Sequence, residues 1–158
     1  MKGDRRMINL QSITEENWLK VTELTVNEGQ KRFLAPPIGI LARAYVYRNC
    51  NGKVYVIADD NLIVGVSLVR EFTDEPLGYE LQQFMIDKKY QGKGYGKKAL
   101  ELILDELRKE HHYDHVEVCV NKEDNIAIHV YEKAGFVDSG YIDDDLPDYL
   151  NLICYFDK

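Results

Sequence analysis

The chain lacks the features that would place it in several large classes. It has no run of eighteen apolar residues, so no membrane span is expected. After Met1 it has no long apolar core of a secretory signal, and Met7 is an alternative start with residues 1–6 as a disordered leader. Its three cysteines, Cys50, Cys119 and Cys154, are odd in number and far apart. That argues against a disulfide framework or a CxxC metal knuckle, and points to reduced thiols in the cytoplasm. His111, His112, His115 and His129 form no metal-ligand pattern either, so no metal is expected. Positive charge is in deficit, with 20 Lys and Arg against 27 Asp and Glu and a formal net charge of −7. A chain of that sign has no general affinity for nucleic acid or for an anionic membrane.

What is present suits one domain over residues 1–158. The apolar fraction is 45% and the charged fraction 30%, ordinary for a folded protein with one core. Ile8–Gln11 reads as a strand. A helix follows, capped by Ser12 or Thr14, with Glu15 and Glu16 in its first turn and Trp18, Val21, Leu24 and Thr25 along it. Pro36-Pro37 interrupts, and a short helix covers Ile40–Tyr47. Val54–Ala58 and Leu62–Val69 form a hairpin about Asp59-Asp60-Asn61, and Tyr79–Ile86 is a further strand. Ala99, Leu100, Ile103, Leu104 and Leu107 mark a strong helix. Val116, Val118 and Val120 alternate as a half-buried strand, and Cys119 and Cys154, which alternate within strands, are read as buried. Asn125–Ala134 is a helix capped by Asp124 or Asn125 and ended by Gly135; strands begin at Phe136–Val137 and cover Leu150–Phe156. The order β-α-α-β-β-β-α-β-α-β-β implies an α/β fold, a mixed sheet of about seven strands flanked by helices.

The most informative segment is Gln91-Gly92-Lys93-Gly94-Tyr95-Gly96, between a strand and a helix. Glycines permit positive φ and close backbone approach, and the helix start supplies unpaired N–H groups and partial positive charge. Together they cradle phosphate oxygens. Lys88, Lys89, Lys93, Lys97 and Lys98 surround the loop against the sign of the whole chain, which suggests a bound polyanion. A solvated basic turn is the plain alternative. The spacing fits neither a P-loop nor a dinucleotide fingerprint.

Gln91 to Gly96 resembles the acetyl-CoA signature of the GNAT N-acetyltransferase superfamily, Gln/Arg-x-x-Gly-x-Gly/Ala. Asn125 to Phe136 resembles its second signature, Asn-x-x-Ala-x-x-x-Tyr-x-x-x-Gly-Phe, in the expected order. Glu28 to Pro37 and Phe84 to Gly94 are similar to the bacterial spermine/spermidine (diamine) acetyltransferase branch. The resemblance implies a mostly antiparallel sheet of about seven strands with about four helices. It also implies acetyl-CoA as co-substrate, a small amine as acceptor and a homodimer. Phe84, Met85 and Ile86 would hold the pantetheine arm, with an oxyanion donor near Met85, and Gln91, Gly92, Lys93, Gly94, Tyr95, Gly96 and Lys97 the diphosphate. Asn125 would meet the pantetheine arm or cap its helix; Lys133 would meet phosphate or solvent.

Tyr131 would be the acid that protonates the departing thiolate, and it can pack in the core as well. An alkylammonium has a pKa of about 10.4, so only about one molecule in a thousand is free amine at neutral pH and a base is wanted. Glu80 lies eleven residues before Gln91, a spacing at which some family members place a glutamate. Alternation puts Glu80, Gln82 and Phe84 on one side of the strand. Gln82 matches a position that is often acidic in polyamine enzymes and cannot itself be a base. Glu28 and Asp143, with Asp144 and Asp145, could attract a polycation. Another amine (an aminoglycoside, arylalkylamine or peptide N-terminus) or a silent acetyl-CoA sensor uses the same cofactor machinery.

Overall fold

A computed structural model describes residues 6–156, so the expectation of a leader at residues 1–6 lies outside the described residues apart from Arg6. The chain runs through β1 (Ile8–Gln11), α1 (Trp18–Thr22), a 3-10 turn (Glu28–Phe33), α2 (Pro37–Val46) and a 3-10 turn (Arg48–Cys50). It continues through β2 (Lys53–Asp59), β3 (Leu62–Glu71), β4 (Tyr79–Ile86), α3 (Tyr95–Glu110), β5 (His115–Asn121), α4 (Asn125–Lys133), β6 (Val137–Asp138) and β7 (Tyr149–Tyr155). The strands form one seven-stranded sheet in the order β1-β2-β3-β4-β5-β7-β6. Every pairing is antiparallel except β4 with β5.

Helices cover both faces of the sheet. On one face Val21, Leu24 and Ile40 pack on Val56, Val66, Leu68 and Met85. On the other, Leu100, Ile103, Leu104 and Leu107 of α3 and Tyr131 of α4 pack on Tyr79, Leu81, Val116, Val118 and Val120. Val54–Ala58 is buried throughout because β2 has a layer on each side, which is why its apolar run is continuous rather than alternating.

Three expectations need correction. The first helix is shorter than expected. Thr14 N donates to Asn17 Oδ1 at 2.8 Å and Asn17 N to Thr14 Oγ1 at 3.2 Å, a reciprocal box that holds residues before Trp18 in a turn. At its far end Thr25 N donates to Asp87 Oδ2 at 2.9 Å and Thr25 O accepts from Lys88 N at 2.8 Å, so tertiary bonds take the groups a longer helix would use. Pro36-Pro37 does not break a helix but starts one: Pro37 occupies the first turn of α2, where a missing N–H costs nothing. Cys119 is exposed, whereas Cys154 is buried as expected. Cys119 alternates with buried Val118 and Val120 and so faces the side of α1 and α2, whose packing is centred on β2, β3 and β4.

Burial also sets a pH dependence. It pushes the Tyr79 phenol up to about 12, chiefly by desolvation with Glu110 and Glu71 adding, and it raises Tyr55 and Tyr131 further. An unfolded tyrosine ionises near pH ~10. Between that and about 12 the unfolded chain therefore binds fewer protons than the native one, and stability falls as pH rises. Denaturant midpoints should be flat from pH 7 to 9 and drop from pH ~10 upward. A midpoint that holds to pH 11.5 (roughly) would contradict the burial of these phenols.

Candidate active site where two strands part

β4 and β5 pair only at Tyr79 with Val116 and Glu80 with Glu117, although β4 runs on to Ile86 and β5 to Asn121. Past Glu80 the two strands part. β3 meanwhile stays paired with β4 as far as Ile86. Asp87 N donates to Val64 O at 2.8 Å, so by antiparallel alternation Met85 also turns its main-chain groups to β3. Phe84 and Ile86 then turn theirs into the gap. Ile86 O is already used there, accepting from Gln91 Nε2 at 2.9 Å, which leaves the amides of Phe84 and Ile86 as donors without a strand partner.

A bulge alters what β4 shows on each face. Leu68 opposes Gln83 and Val69 opposes Leu81, so Gln82 is the extra residue. The expected grouping of Glu80, Gln82 and Phe84 on one side is therefore wrong for Phe84. Glu80, Gln82, Gln83 and Met85 face α2 and the segment before it, whereas Leu81 and Phe84 face the α3 and α4 side. Simple alternation fails because a bulge inserts one residue into the count.

The glycine loop enters α3 with Gly92 at φ +75° and Gly94 at φ +87°. A Cβ on Gly92 would meet nothing within 4 Å, so glycine is needed for conformation rather than for room. Gly94 is the N-cap of α3, and no acidic residue occupies the first turn to satisfy its amides. Lys93, Lys97 and Lys98 are exposed around it. Lys93, Gly94 and Lys98 also border a cavity of about 530 Å³ against Arg6, β1 and Asp60. Gly96 lies against the gap strand, where a Cβ would sit 3.7 Å from Ile86 and 4.0 Å from Phe84.

Two signature side chains turn inward. Gln91 bonds Gln30 reciprocally at 3.0 and 3.1 Å, tying the Glu28–Phe33 turn to the end of β4. Tyr95 is buried and its hydroxyl donates to Asp59 at 2.5 Å, fastening the first turn of α3 to β2. The Tyr95 ring thus serves the scaffold.

Tyr131 stands beside the gap, 6% exposed, with its ring centroid 6.4 Å from Phe84 and 5.5 Å from Phe136. Its hydroxyl has no hydrogen-bond partner among the described residues. Burial first, and the Asp124 charge second, push its pKa well above the ordinary tyrosine value. The group therefore carries its proton at neutral pH. α4 is capped by Asp124, whose Oδ1 accepts from Ala127 N at 3.3 Å, leaving the exposed Asn125 side chain free of capping. Lys133 is exposed in the last turn of α4, at the opposite end from Asn125.

The acidic candidates are dispersed. Glu80 is held by Arg70 at 2.7 Å, both side chains mostly buried. Glu28 is exposed, and its bond to Lys31 at 2.5 Å keeps its carboxyl below the usual range. Asp143 is half-buried in the loop before β7 and accepts from Asp145 N at 3.0 Å. Crowding raises the Cys119 thiol, and the charges of Glu80 and Asp143 raise it further.

Several residues escaped the sequence reading. Arg43 donates to Gln82 Oε1 at 3.2 Å, and Arg32 pairs with Glu123 at 2.8 Å, linking the Glu28–Phe33 turn to the loop before α4. Asp87 is 5% exposed and accepts from Thr25 N and Lys89 N, both at 2.9 Å. Only Asp87 had a local signal, as an acid directly before the basic loop.

Open main-chain donors in a parted sheet, next to an anion-type helix start and a proton-bearing tyrosine, suit an enzyme that moves an acyl group from a phosphate-bearing carrier. The chain belongs to the acetyltransferase (GNAT) family, whose model matches residues 16–136. It is 25% identical over 143 residues to the spermine/spermidine N(1)-acetyltransferase of Bacillus subtilis (strain 168), covering 86% of this chain and 91% of that protein. Among solved structures, the spermidine N-acetyltransferase from Vibrio cholerae in complex with CoA and spermine has a TM-score of 0.74 at 18% identity, covering 94% of this chain and 95% of that one. The aminoglycoside acetyltransferase AAC(6')-Ib in complex with coenzyme A has a TM-score of 0.72 at 15% identity, covering 94% of each chain. These two likenesses show the fold alone. No helix among the described residues is long and apolar enough to cross a membrane.

Proposed function

We propose that the protein acetylates a primary amine of a small polycation such as spermine or spermidine, with acetyl-CoA as co-substrate. The observation that carries this reading is the pair of open amides at Phe84 and Ile86, beside the Gly92–Gly96 loop and the Tyr131 hydroxyl. Acetyl-CoA supplies the acetyl group as an activated thioester. The amides of Gly92, Lys93, Gly94, Tyr95, Gly96 and Lys97 would hold its diphosphate, and Phe84 and Ile86 would line its arm, with Asn125 and Lys133 as outer contacts; Met85, expected there too, turns its main chain to β3 and its side chain to the α1 and α2 face. An amide in the gap would donate to the developing oxyanion. Tyr131 would give its proton to the departing sulfur and regain one from solvent.

On the acceptor side, Gln82 and Asp143 would meet the amine, with Glu28 at the entrance. Glu80 would take the amine proton through water while its carboxylate stays bonded to Arg70 at 2.7 Å. The Bacillus subtilis relative supports a polyamine. A cytoplasmic homodimer completes the reading.

The test is free thiol release from acetyl-CoA with a panel of amines. Spermine and spermidine should exceed aminoglycosides, arylalkylamines and peptide N-termini by at least about tenfold in kcat/KM. Equal rates across the panel would remove the polyamine assignment. Tight acetyl-CoA binding without turnover would favour a sensor.

A further inference from the structure

The acceptor side of the gap holds an unusual balance of charge. Two carboxylates stand where the strands part, Glu80 and its register partner Glu117; Glu80 is neutralised by Arg70, and both of those paired side chains are mostly buried. Gln82, at the bulge, carries no charge. Facing them from α2 is Arg43, half-buried, whose only hydrogen bond among the described residues goes to the neutral Gln82 side chain at 3.2 Å. No carboxylate pairs with Arg43 among the described residues. The other charged groups are Glu117 of β5, Asp143 of the loop before β7, and the Lys31–Glu28 and Arg32–Glu123 pairs of the Glu28–Phe33 turn, while the Cys119 thiol, raised by burial, stays neutral. Guanidinium keeps its charge at every accessible pH.

We propose that Arg43 activates the acceptor: its guanidinium, fixed on Gln82 beside the gap, repels the ammonium form of the reacting nitrogen and favours the free amine. This rests on the acetyltransferase reading above. A like charge nearby disfavours protonation, as an opposite charge would favour it. The first proton leaves through water toward Glu80, and from there to solvent, before the bond forms. The nitrogen lone pair then makes the C–N bond, the C–S bond breaks, and the second nitrogen proton departs as the sulfur gains one. The arrangement explains how a site whose proposed base, Glu80, is salt-bridged handles an amine of high proton affinity. It also orients a polyamine, with the uncharged end at Arg43 and a distal ammonium toward Asp143.

The experiment compares pH profiles of kcat for the wild type, Arg43→Gln and Arg43→Lys with spermidine, since kcat reports groups in the bound complex. Arg43→Gln should move the acidic limb up by about one pH unit, with kcat about tenfold lower at pH 7 and converging with the wild type at high pH. Arg43→Lys, which keeps the charge, should leave the limb in place. A second readout needs no turnover. The titration of ¹³C-labelled spermidine bound beside coenzyme A, followed by NMR, should show the same displacement. An unmoved limb and titration in Arg43→Gln would overturn the proposal, as would a rise in KM alone, which would make Arg43 a simple binding group. A wild type that binds and titrates spermidine without acetylating it would sink the enzymatic reading instead.

Discussion

Replacing Tyr131 by Phe is expected to lower kcat about 100-fold while changing coenzyme A affinity by less than about twofold. The substitution removes one oxygen and keeps the ring. The ring is what packs on Phe84 and Phe136, so the core loses little. Among the described residues the hydroxyl has no hydrogen-bond partner, so none of them is orphaned by its loss. What disappears is a proton held beside the gap by a group whose pKa burial has raised. An acid that stays protonated over the working range should act without titrating, so the wild type should show no alkaline fall in kcat from this group below pH ~10. Steady-state rates with calorimetric coenzyme A binding decide the matter. A variant with unchanged kcat would strip Tyr131 of its assigned chemistry, and a parallel loss of affinity would make it a binding residue.

The second large effect concerns stability. Asp87→Ala should cost about 3 kcal/mol, because it leaves two main-chain donors in a buried place without an acceptor. Those donors are Thr25 N and Lys89 N. Asp87 joins the end of the α1 segment to the end of β4 and to the start of the glycine loop, so the β4 side of the gap loses two anchors together. For a chain of this size the melting temperature should fall by roughly 6–12 °C. Asp87→Asn keeps one acceptor oxygen and should lose about half as much. Equal melting temperatures for wild type and Asp87→Ala would show that water replaces the carboxylate at no cost.

The two effects differ in how far local sequence foretold them. Tyr131 was legible because Ala127 and Tyr131 share one helical face and stand at the spacing of a known signature. Asp87 was passed over as the first residue of a loop; its partner Thr25 is 62 residues away, and no periodicity links the two. Arg43 and Arg70 are similar. Their partners Gln82 and Glu80 sit 39 and 10 residues off, on a neighbouring element, and nothing in α2 or β3 taken alone announces them. Gln91 and Tyr95 were read as ligand contacts, because a glycine-rich context draws attention to the cofactor. Their side chains instead serve the scaffold that holds the loop.

The element order, the strand Tyr79–Ile86 and the glycine entry to α3 were determined by the sequence itself. Hydrophobic period and backbone permissiveness are properties of neighbouring residues, and they survive without knowledge of the fold. The parting of β4 from β5, the bulge at Gln82 that turns Phe84 to the other face, and the capture of Glu80 by Arg70 were decided only in three dimensions. A strand's register and a carboxylate's free or paired state depend on which surfaces meet. Burial then sets the energetic weight of each meeting, because a charge or a donor taken out of water must find its partner in the folded chain.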